Sequence, residues 1–396
     1  MLTASTRRVV ALPAAIAAAT SLALVAGCSS SGGSDSADAT TSASATTSAS
    51  AVVQVELTPD GCVPSPNSVS AGLVTFKVKN KNAAAVSEAE LLSGGSVLGE
   101  KENLTPGLSG SFSLRLKPGD YVVSCPNAKT DHAEFTVTAG GSSAAPDSSA
   151  AASAAALAEQ AGLQYRDYVV DQVSQLLTTA GRFTAAVKAG DIAGAKAAYG
   201  PARVHYESIE PVAESFGDLD PSIDARENDV DDPTAWTGFH RIEKALWHDD
   251  TLAGMAPIAE RLTADLTKLQ TLVEKQTYQP AQIANGCVEL LDEVAKSKVT
   301  GEEDRYSHTD LFDFEANVLG AREGFAVLKP LLKSSDPELA GTIDARFADV
   351  LSALAKYKQG DGWVDYSTVS DPDRRVLAQK VDALAEPLSE VAARVG

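Results

Sequence analysis

Two pairs of potential metal ligands lie near each other in the middle of this sequence. In "RVHYESIEPVAESF", Glu207 and Glu210 are three residues apart, and in "TGFHRIEKALW" His240 and Glu243 have the same spacing. Residues three apart share one face of a helix, so each pair can direct two donor atoms at a single ion. Carboxylate oxygen and imidazole nitrogen suit iron, zinc or manganese better than copper(I). The spacing predicts a carboxylate-rich metal site built from two helices.

The same spacings also have a simpler explanation. A pair of glutamates on a helix is commonly a solvated face, and His-x-x-Glu is commonly an ordinary contact between neighbouring helical turns. Pro211 cannot donate a helix hydrogen bond and its ring crowds the carbonyl of Glu207, so we expect a kink beside the first pair. Spacing alone leaves both the metal site and the polar surface open.

Two further polar segments could contribute to such a site. The acidic stretch "DLDPSIDARENDVDDP" lies between the pairs and could place another carboxylate over the same face. In "GEEDRYSHTDLFDFEAN", Glu303, His308 or Asp310 could lie beside the ion or orient its ligands, as carboxylates do for metal-bound imidazoles. In the alternative explanation of this segment, Ser307 or Thr309 simply caps a helix that begins near Asp310.

Most hydrolase motifs are missing from the sequence. There is no His-Glu-x-x-His, and Lys244 follows Glu243 where an inverted zinc-peptidase motif needs a histidine. A glycine-rich phosphate loop and a Gly-x-Ser-x-Gly elbow are also absent. These absences argue against a serine hydrolase or a nucleotide enzyme. A metallopeptidase stays open, because its ligand set resembles that of a metal carrier.

Two cysteines, Cys62 and Cys125, fall in a segment that is rich in predicted strands. A blue-copper site needs two histidines, a cysteine and usually a methionine, but this segment has only His132 and no methionine. This composition argues against a type 1 copper centre. The cysteines form either a disulfide or a metal or redox site together with Glu88, Glu90 or His132.

The elements that must position these residues fall into two regions. Short alternating segments such as "VVQVEL", "GLVTFKVKN" and "AEFTVT" predict a β-sandwich over residues 51–138. Residues 139–155 form a low-complexity linker. From residue 156 to 396 the apolar period is 3.6, which predicts packed antiparallel helical bundles. Cys287 lies in an apolar helical context and is expected to be buried.

The N-terminus predicts export and lipid attachment. Basic residues and an apolar run are followed by "LVAGC", so residues 1–27 resemble a lipoprotein signal peptide and Cys28 would carry the lipid. The mature chain would then be held on the outer face of the cytoplasmic membrane, with residues 28–50 as a flexible tether. The net charge of −20 disfavours nucleic acid as a partner.

Several long segments also resemble a known family. "RVHYESIEPVAESFGDLDPSIDARE", "TGFHRIEKALW" and "GEEDRYSHTDLFDFEANV" are similar to the imelysin-like domain of EfeO-type iron-uptake lipoproteins. "GCVPSP", "ENLTPG" and "PGDYVVSC" are similar to the cupredoxin-like domain of the same family. The resemblance covers residues 51–394 and implies a cupredoxin-like β-sandwich followed by an all-α domain of two packed four-helix bundles.

The resemblance also implies a set of site residues. In the helical domain the metal ligands would be Glu207, Glu210, Asp224, His240 and Glu243. In the cupredoxin-like domain, Cys62 and Cys125 with Glu88 or Glu90 would bind copper or ferric iron.

The function implied by the resemblance is iron transport. The protein would bind ferrous or ferric iron, and zinc in vitro, and deliver the iron to a membrane permease beside a haem peroxidase of the dye-decolourising type. The favoured prediction is thus a transport component and not an enzyme. The alternatives are a metal-dependent peptidase of the imelysin family and a polysaccharide-binding or scaffold module.

Overall fold

The computed structural model describes residues 51–139, 148–230 and 232–395. The predicted signal peptide, Cys28 and the tether lie outside this range, as do residues 140–147 of the linker. Among the helices that the structure describes, none is long and apolar enough to cross a membrane.

The N-terminal domain is built from nine strands. Alternation of apolar and polar residues explains why they form: Val53, Val55 and Leu57 of the first strand are buried, whereas Gln54 and Glu56 between them are exposed. The strands are β1 Ala51–Thr58, β2 Gly61–Ser65, β3 Ser68–Ser70, β4 Gly72–Asn80, β5 Ala89–Ser93, β6 Ser96–Lys101, β7 Ser109–Leu116, β8 Gly119–Ser124 and β9 His132–Thr138.

These strands form two sheets, with the orders β2-β1-β4-β7 and β3-β9-β8-β5-β6. Strands β1 and β4 are parallel, as are β3 and β9, and the other pairs are antiparallel. Between the sheets, the Phe76 ring stacks on Phe112 at 5.0 Å and meets the edge of Phe135 at 5.3 Å. A disulfide links Cys62 in β2 to Cys125 directly after β8, so it joins the two sheets.

The C-terminal region is helical apart from a short hairpin, β10 Lys358–Gln359 and β11 Gly362–Trp363. Its helices are α1 Ser148–Ala189, α2 Ile192–Glu207, α3 Leu219–Asp224, α4 Gly238–Trp247, α5 Ala256–Val273, α6 Pro280–Lys296, α7 Asp310–Ser335, α8 Pro337–Leu354, α9 Asp371–Leu388 and α10 Val391–Val395. Short 3₁₀ turns cover Glu210–Phe216, Glu227–Asp229, Lys298–Thr300, Ala355–Tyr357 and Tyr366–Thr368.

The long helices pack as two bundles. Helices α1, α2, α4 and α5 form the first, and α6, α7, α8 and α9 form the second. Helix α7 also packs against α1 and α2, so the two bundles share a core. The predicted fold class, a cupredoxin-like β-domain followed by an all-helical domain, is confirmed.

Two local details refine the predicted elements. The helix predicted through the first ligand pair ends at Glu207, and a 3₁₀ turn resumes at Glu210 because Pro211 cannot continue the hydrogen-bond pattern. Helix α1 already begins at Ser148, inside the segment predicted as linker. Its first turns are rich in alanine, the residue with the highest helix propensity.

The β-domain rests on the helical domain through β6, β7 and α6. Lys101 Nζ donates to both carboxylate oxygens of Glu289 at 2.8 Å and to Asp292 at 3.1 Å. Asn285 Nδ2 donates to the carbonyl of Ser113 at 2.7 Å. These buried polar contacts fix the surface of α6 against the two strands.

Candidate metal centre

The centre of the helical domain is organised by one arginine. Tyr199, Arg203 and Glu207 lie at four-residue steps on α2, so they share the face that packs into the core. Arg203 is fully buried. Its Nε donates to Asp313 at 3.0 Å and its Nη2 to Glu303 at 3.0 Å.

The same guanidinium also donates to Glu207 and Asp224. Arg203 therefore gathers carboxylates from α2, α3, α7 and the turn that precedes α7.

A buried lysine holds the first predicted ligand pair. Lys298 Nζ lies 3.2 Å from Glu207 Oε2 and 2.5 Å from Glu210 Oε1. Asn317 Nδ2 donates to the same two carboxylates at 2.9 and 2.6 Å. Both glutamates thus already have strong hydrogen-bond partners within the protein. A metal ion could use them only by competing with Lys298.

The second predicted pair is positioned by a close backbone contact. Gly238, the first residue of α4, has φ +87°, and a Cβ at this position would lie 2.2 Å from the carbonyl oxygen of Ile223. Only glycine permits both this conformation and this approach. The start of α4 therefore lies directly against the end of α3, which brings His240 to Asp224.

The imidazole of His240 is oriented by Glu243. Its Nδ1 lies 3.1 Å from Glu243 Oε2 and 3.2 Å from the hydroxyl of Tyr199. Glu243 is in turn fixed by its other oxygen, which accepts from the backbone nitrogens of Tyr306 at 2.9 Å and Ser307 at 2.8 Å. This arrangement, in which a carboxylate holds one ring nitrogen, is the usual support for a metal-bound histidine.

The other ring nitrogen of His240 lacks a hydrogen bond. His240 is 2% exposed, and its Nε2 is buried without a hydrogen-bond partner among the described residues. The nearest carboxylate oxygens are those of Glu303 at 3.4 Å and Asp224 at 3.8 Å. Buried polar atoms are nearly always paired, so an unpaired nitrogen between two carboxylates indicates a missing ligand.

Three sets of possible ligands meet in this cluster. In each set, one donor atom from every residue lies within 4.8 Å of the others. The sets are Asp224, His240 and Glu303; His240, Glu243 and Asp304; and Glu207, Glu303 and Asp313. The first set is the one that surrounds the unpaired Nε2 of His240, and its two carboxylates also accept from Arg203.

Burial and charge act against each other in this cluster. Burial and the neighbouring Arg203 lower the pKa of His240, but contacts with three carboxylates outweigh both and raise it to about 10. Burial raises the pKa of Glu303, yet the charges of Lys298 and His240 hold it well below its usual range. Burial raises the pKa of Asp224 to about 7 despite Arg203. The metal-free cluster therefore contains three buried cations among its carboxylates.

The structure brings the five predicted helical-domain ligands into one region, together with Glu303. Asp310 is also buried there, with one carboxylate oxygen unpaired. His308 is half-buried in a left-handed turn with φ 57°, and the three ligand sets do not include it. Thr309 precedes α7 as expected, but its hydroxyl donates to Asp304 and does not cap the helix.

Five further residues of this cluster were not predicted from the sequence. Arg203, Lys298 and Asn317 donate hydrogen bonds within it, and Asp304 and Asp313 are two additional buried acids. Two signals were available: Arg203 lies four residues before Glu207, and Asp313 lies four before Asn317, so each pair shares a helix face.

In the β-domain, Cys62 and Cys125 form a disulfide, which was one of the two alternatives predicted for them. Neither sulfur is then available as a thiolate ligand. Glu90 lies directly opposite Glu100 on β6, and Glu88 lines a cavity with other acidic residues. Cys287 is free and buried, as predicted.

An acidic cavity of about 400 Å³ connects the two domains. Twelve of its lining residues are acidic and one, Arg226, is basic, so its interior favours cations. Glu88, Glu100 and Glu102 line it from the β-domain. On the helical side the lining includes Glu210, Asp224 and Glu303, so the cavity reaches the metal centre.

Comparison with known proteins agrees with this architecture. A family model described as Imelysin matches residues 162–391, and one described as Cupredoxin-like domain matches residues 22–137. The "Iron uptake system component EfeO" of Escherichia coli (strain K12) is 41% identical over 347 residues, which cover 87% of this chain and 91% of that protein. The protein of the same name from Shigella flexneri gives the same identity and coverage. The chain therefore belongs to the EfeO-type imelysin family, in which a cupredoxin-like domain precedes the helical domain.

Proposed function

We propose that this protein binds iron outside the cytoplasmic membrane and delivers it to a membrane iron permease. The proposal is supported by the relatives, which are named as iron-uptake components. A haem peroxidase of the dye-decolourising type is the further partner that we propose, and lipid on Cys28 would keep the protein close to both.

The ligands that we propose for iron are His240 Nε2, Asp224 and Glu303. The single observation that carries this assignment is the unpaired, buried Nε2 of His240, which lies between the two carboxylates. Oxygen donors with one imidazole suit iron in either oxidation state and also accept zinc. Glu243 would position His240 and not bind the ion itself, because it contacts Nδ1 and not the unpaired Nε2, while its other oxygen accepts from two backbone nitrogens.

Glu207 and Glu210 remain predicted metal ligands, but in the metal-free protein both carboxylates already accept hydrogen bonds. They are hydrogen-bonded to Lys298 and Asn317, so they shape the centre without a metal. If they bind the ion, Lys298 must move away. For the β-domain, the disulfide leaves no thiolate for copper, which favours a structural role for Cys62 and Cys125.

The assignment is tested by calorimetric titration of the metal-free protein with Zn²⁺ and, without oxygen, with Fe²⁺. We expect His240→Ala and Glu303→Gln each to weaken binding at least about tenfold, because the first removes the nitrogen donor and the second removes the negative charge of an oxygen donor. His248→Ala is the matched control, since His248 lies at the end of the same helix but is exposed. Wild-type affinity in both site variants would contradict the assignment.

The peptidase alternative requires a general base that faces a metal-bound water. Glu243 is the only acid in the His-x-x-Glu pair, and its two oxygens contact His240 and two backbone nitrogens. We therefore expect no cleavage of a peptide library by the Zn²⁺-loaded protein. Cleavage that disappears in Glu243→Gln and persists in His248→Ala would favour the peptidase.

A further inference from the structure

The acidic cavity meets the metal centre at one basic side chain. Among the described residues that line the cavity, Arg226 is the one that is basic, and its Nη1 donates to Glu303 Oε2 at 3.0 Å. The other oxygen of the same carboxylate, Oε1, lies 3.4 Å from the unpaired Nε2 of His240. The guanidinium of Arg226 therefore contacts a proposed iron ligand from the side of the cavity.

Three cations of the protein lie close to Glu303, and they differ in accessibility. Arg203 Nη2 lies 3.0 Å from Oε1, and the Arg203 side chain is fully buried. Lys298 Nζ lies 3.8 Å from Oε2 and its side chain is 2% exposed, whereas that of Arg226 is 22% exposed. Arg203 and Lys298 also hold other buried carboxylates, so they belong to the framework of the centre. Of the three, Arg226 is the cation that solvent and incoming ions can reach.

Arg226 has other carboxylate partners close by. Its Nε donates to Asp229 at 2.9 Å, and its Nη1 lies 3.4 Å from Glu293 and 4.0 Å from Glu302. All three of these acids line the cavity. The guanidinium can therefore leave Glu303 and still be paired, so its displacement does not create an uncompensated buried charge.

Movement of Arg226 is confined to its side chain, because the main chain on both sides is anchored. The indole nitrogen of Trp236 donates to the carbonyl oxygen of Ala225 at 2.7 Å. On the other side, the carboxylate of Glu227 accepts from the hydroxyl of Tyr306. A long side chain on a fixed backbone changes its partner by rotation between rotamers, without any change in the fold.

A metal ion and the guanidinium would compete for the same carboxylate. While the centre is empty, Glu303 is a charged group only 4% exposed to solvent, and such a group requires a counter-charge. Once an ion lies between Glu303 and His240, the guanidinium on Oε2 repels it, because two positive charges then share one carboxylate. Arg226 thus provides in the empty centre the charge that the metal provides in the occupied one.

We propose that Arg226 is a displaceable counter-ion of the metal centre. It holds the cavity side of Glu303 while the centre is empty, and it turns to Glu293 and Glu302 when a cation enters through the cavity. A monovalent cation would only replace one positive charge by another, whereas a divalent or trivalent cation adds charge, so this exchange selects iron over sodium or potassium. The inference rests on the proposed function, because it requires the metal centre at His240 and Glu303.

The test compares Arg226→Gln with the wild type as metal-free, full-length proteins. Calorimetric titration with Zn²⁺ gives the affinity, and stopped-flow mixing with Zn²⁺ and a fluorescent zinc indicator gives the association rate. We expect both to rise about three- to tenfold, because no guanidinium then competes for Glu303. Arg226→Lys keeps the charge and should stay closer to the wild type. Arg166→Gln is the matched control, since Arg166 pairs with Asp167 on the surface.

A crystal structure of the Zn²⁺-loaded wild-type protein gives a readout that needs no variant. We expect the guanidinium of Arg226 to contact Glu293 or Glu302 and to have left Glu303. A guanidinium that still donates to Glu303 beside the bound Zn²⁺ would overturn the proposal.

The binding data distinguish failure of this inference from failure of the metal centre. Zn²⁺ binding by Arg226→Gln that is unchanged or weaker, with wild-type circular dichroism, would overturn the role of Arg226, because the residue would then only hold Glu303 in place. If His240→Ala still loses Zn²⁺ binding in that case, the metal centre stands. If His240→Ala binds Zn²⁺ as the wild type does, the proposed iron ligands are wrong, and the role of Arg226 is overturned with them.

Discussion

The two acidic clusters of this protein contain the same kinds of side chain but are balanced differently. In the helical domain, Arg203 and Lys298 reach into the cluster and donate to most of its carboxylates. Where the two domains touch, Glu90 on β5 and Glu100 on β6 lie directly opposite each other, and Glu100 keeps a buried oxygen with no hydrogen-bond partner among the described residues. Cations of the protein are thus bound into the first cluster, whereas the buried oxygen of Glu100 in the second has no such partner.

This difference affects how the helical cluster responds to a metal. The helical cluster is nearly complete without an ion and leaves one ring nitrogen unpaired, so metal binding there adds to an existing framework.

The largest expected effect comes from removing the central cation. Arg203→Met leaves Glu207, Asp224 and Asp313 without their buried partner, so we expect the free energy of unfolding to fall by at least about 3–5 kcal/mol. Urea unfolding followed by circular dichroism measures the change. Arg166→Met is the control, since Arg166 pairs on the surface with Asp167 and should cost at most about 1 kcal/mol.

Equal stability losses in these two variants would contradict the role given to Arg203. The comparison between the clusters would then fail, because the helical carboxylates would not depend on a cation from the protein.

A smaller effect is expected from the residue that orients His240. In Glu243→Gln the amide nitrogen can face Nδ1, which favours the tautomer with its proton on Nε2 and removes the lone pair needed by the metal. We expect Zn²⁺ affinity to fall by about ten- to a hundredfold.

Isothermal calorimetry checks this prediction, with Glu260→Gln on the exposed face of α5 as the control. If Glu243→Gln binds Zn²⁺ as the wild type does, Glu243 has no positioning role.

The smallest effect is a difference in pH dependence. Burial and the nearby Glu90 raise the pKa of Glu88 from 4.5 to about 7 in the folded protein. The stabilising contribution of the protonated Glu88 is therefore present below about pH 4.5 and is lost as the pH rises through about 7. The pKa of Glu303 is shifted far downward, so that group stays ionised throughout this range.

We therefore expect Glu88→Gln, in metal-free buffer, to lose less thermal stability than the wild type between pH 5 and pH 8. Thermal unfolding midpoints at both pH values measure the difference, and Glu134→Gln on exposed β9 surface serves as the control. Parallel pH profiles for wild type and Glu88→Gln would show that burial does not raise the pKa of Glu88.

Much of the fold was accessible from local patterns. Alternation identified β1, β4, β7, β8 and β9, and the 3.6 period identified the long helices because each depends on neighbouring residues. The break after Glu207 followed from Pro211, which acts within one turn of helix. The start of α1 was less accessible, since an alanine-rich stretch can serve as a linker or as a helix.

The candidate site was accessible only in part. The spacing of His240 with Glu243 marked a face of α4 correctly, whereas Glu207 ends α2 and Glu210 begins the next 3₁₀ turn, so that pair does not share one helix face. It did not reveal that Lys298 would bind the first pair, or that Glu303 would lie 3.4 Å from Nε2 of His240. The sequence did not predict that Arg203 is buried, because an arginine four residues before a glutamate usually forms a solvated surface pair.

The sequence by itself determined the two domain types, the helix faces that carry the ligands and the strongly acidic character of the chain. These properties arise from composition and from neighbours within one or two turns. Only the tertiary structure decided which carboxylates meet a buried cation and which do not, because Arg203, Asp313, Glu100 and Glu214 are brought together across many residues of chain by the packing of separate elements. Burial then fixes the energetic consequence, since a charge removed from water must find its partner inside the protein.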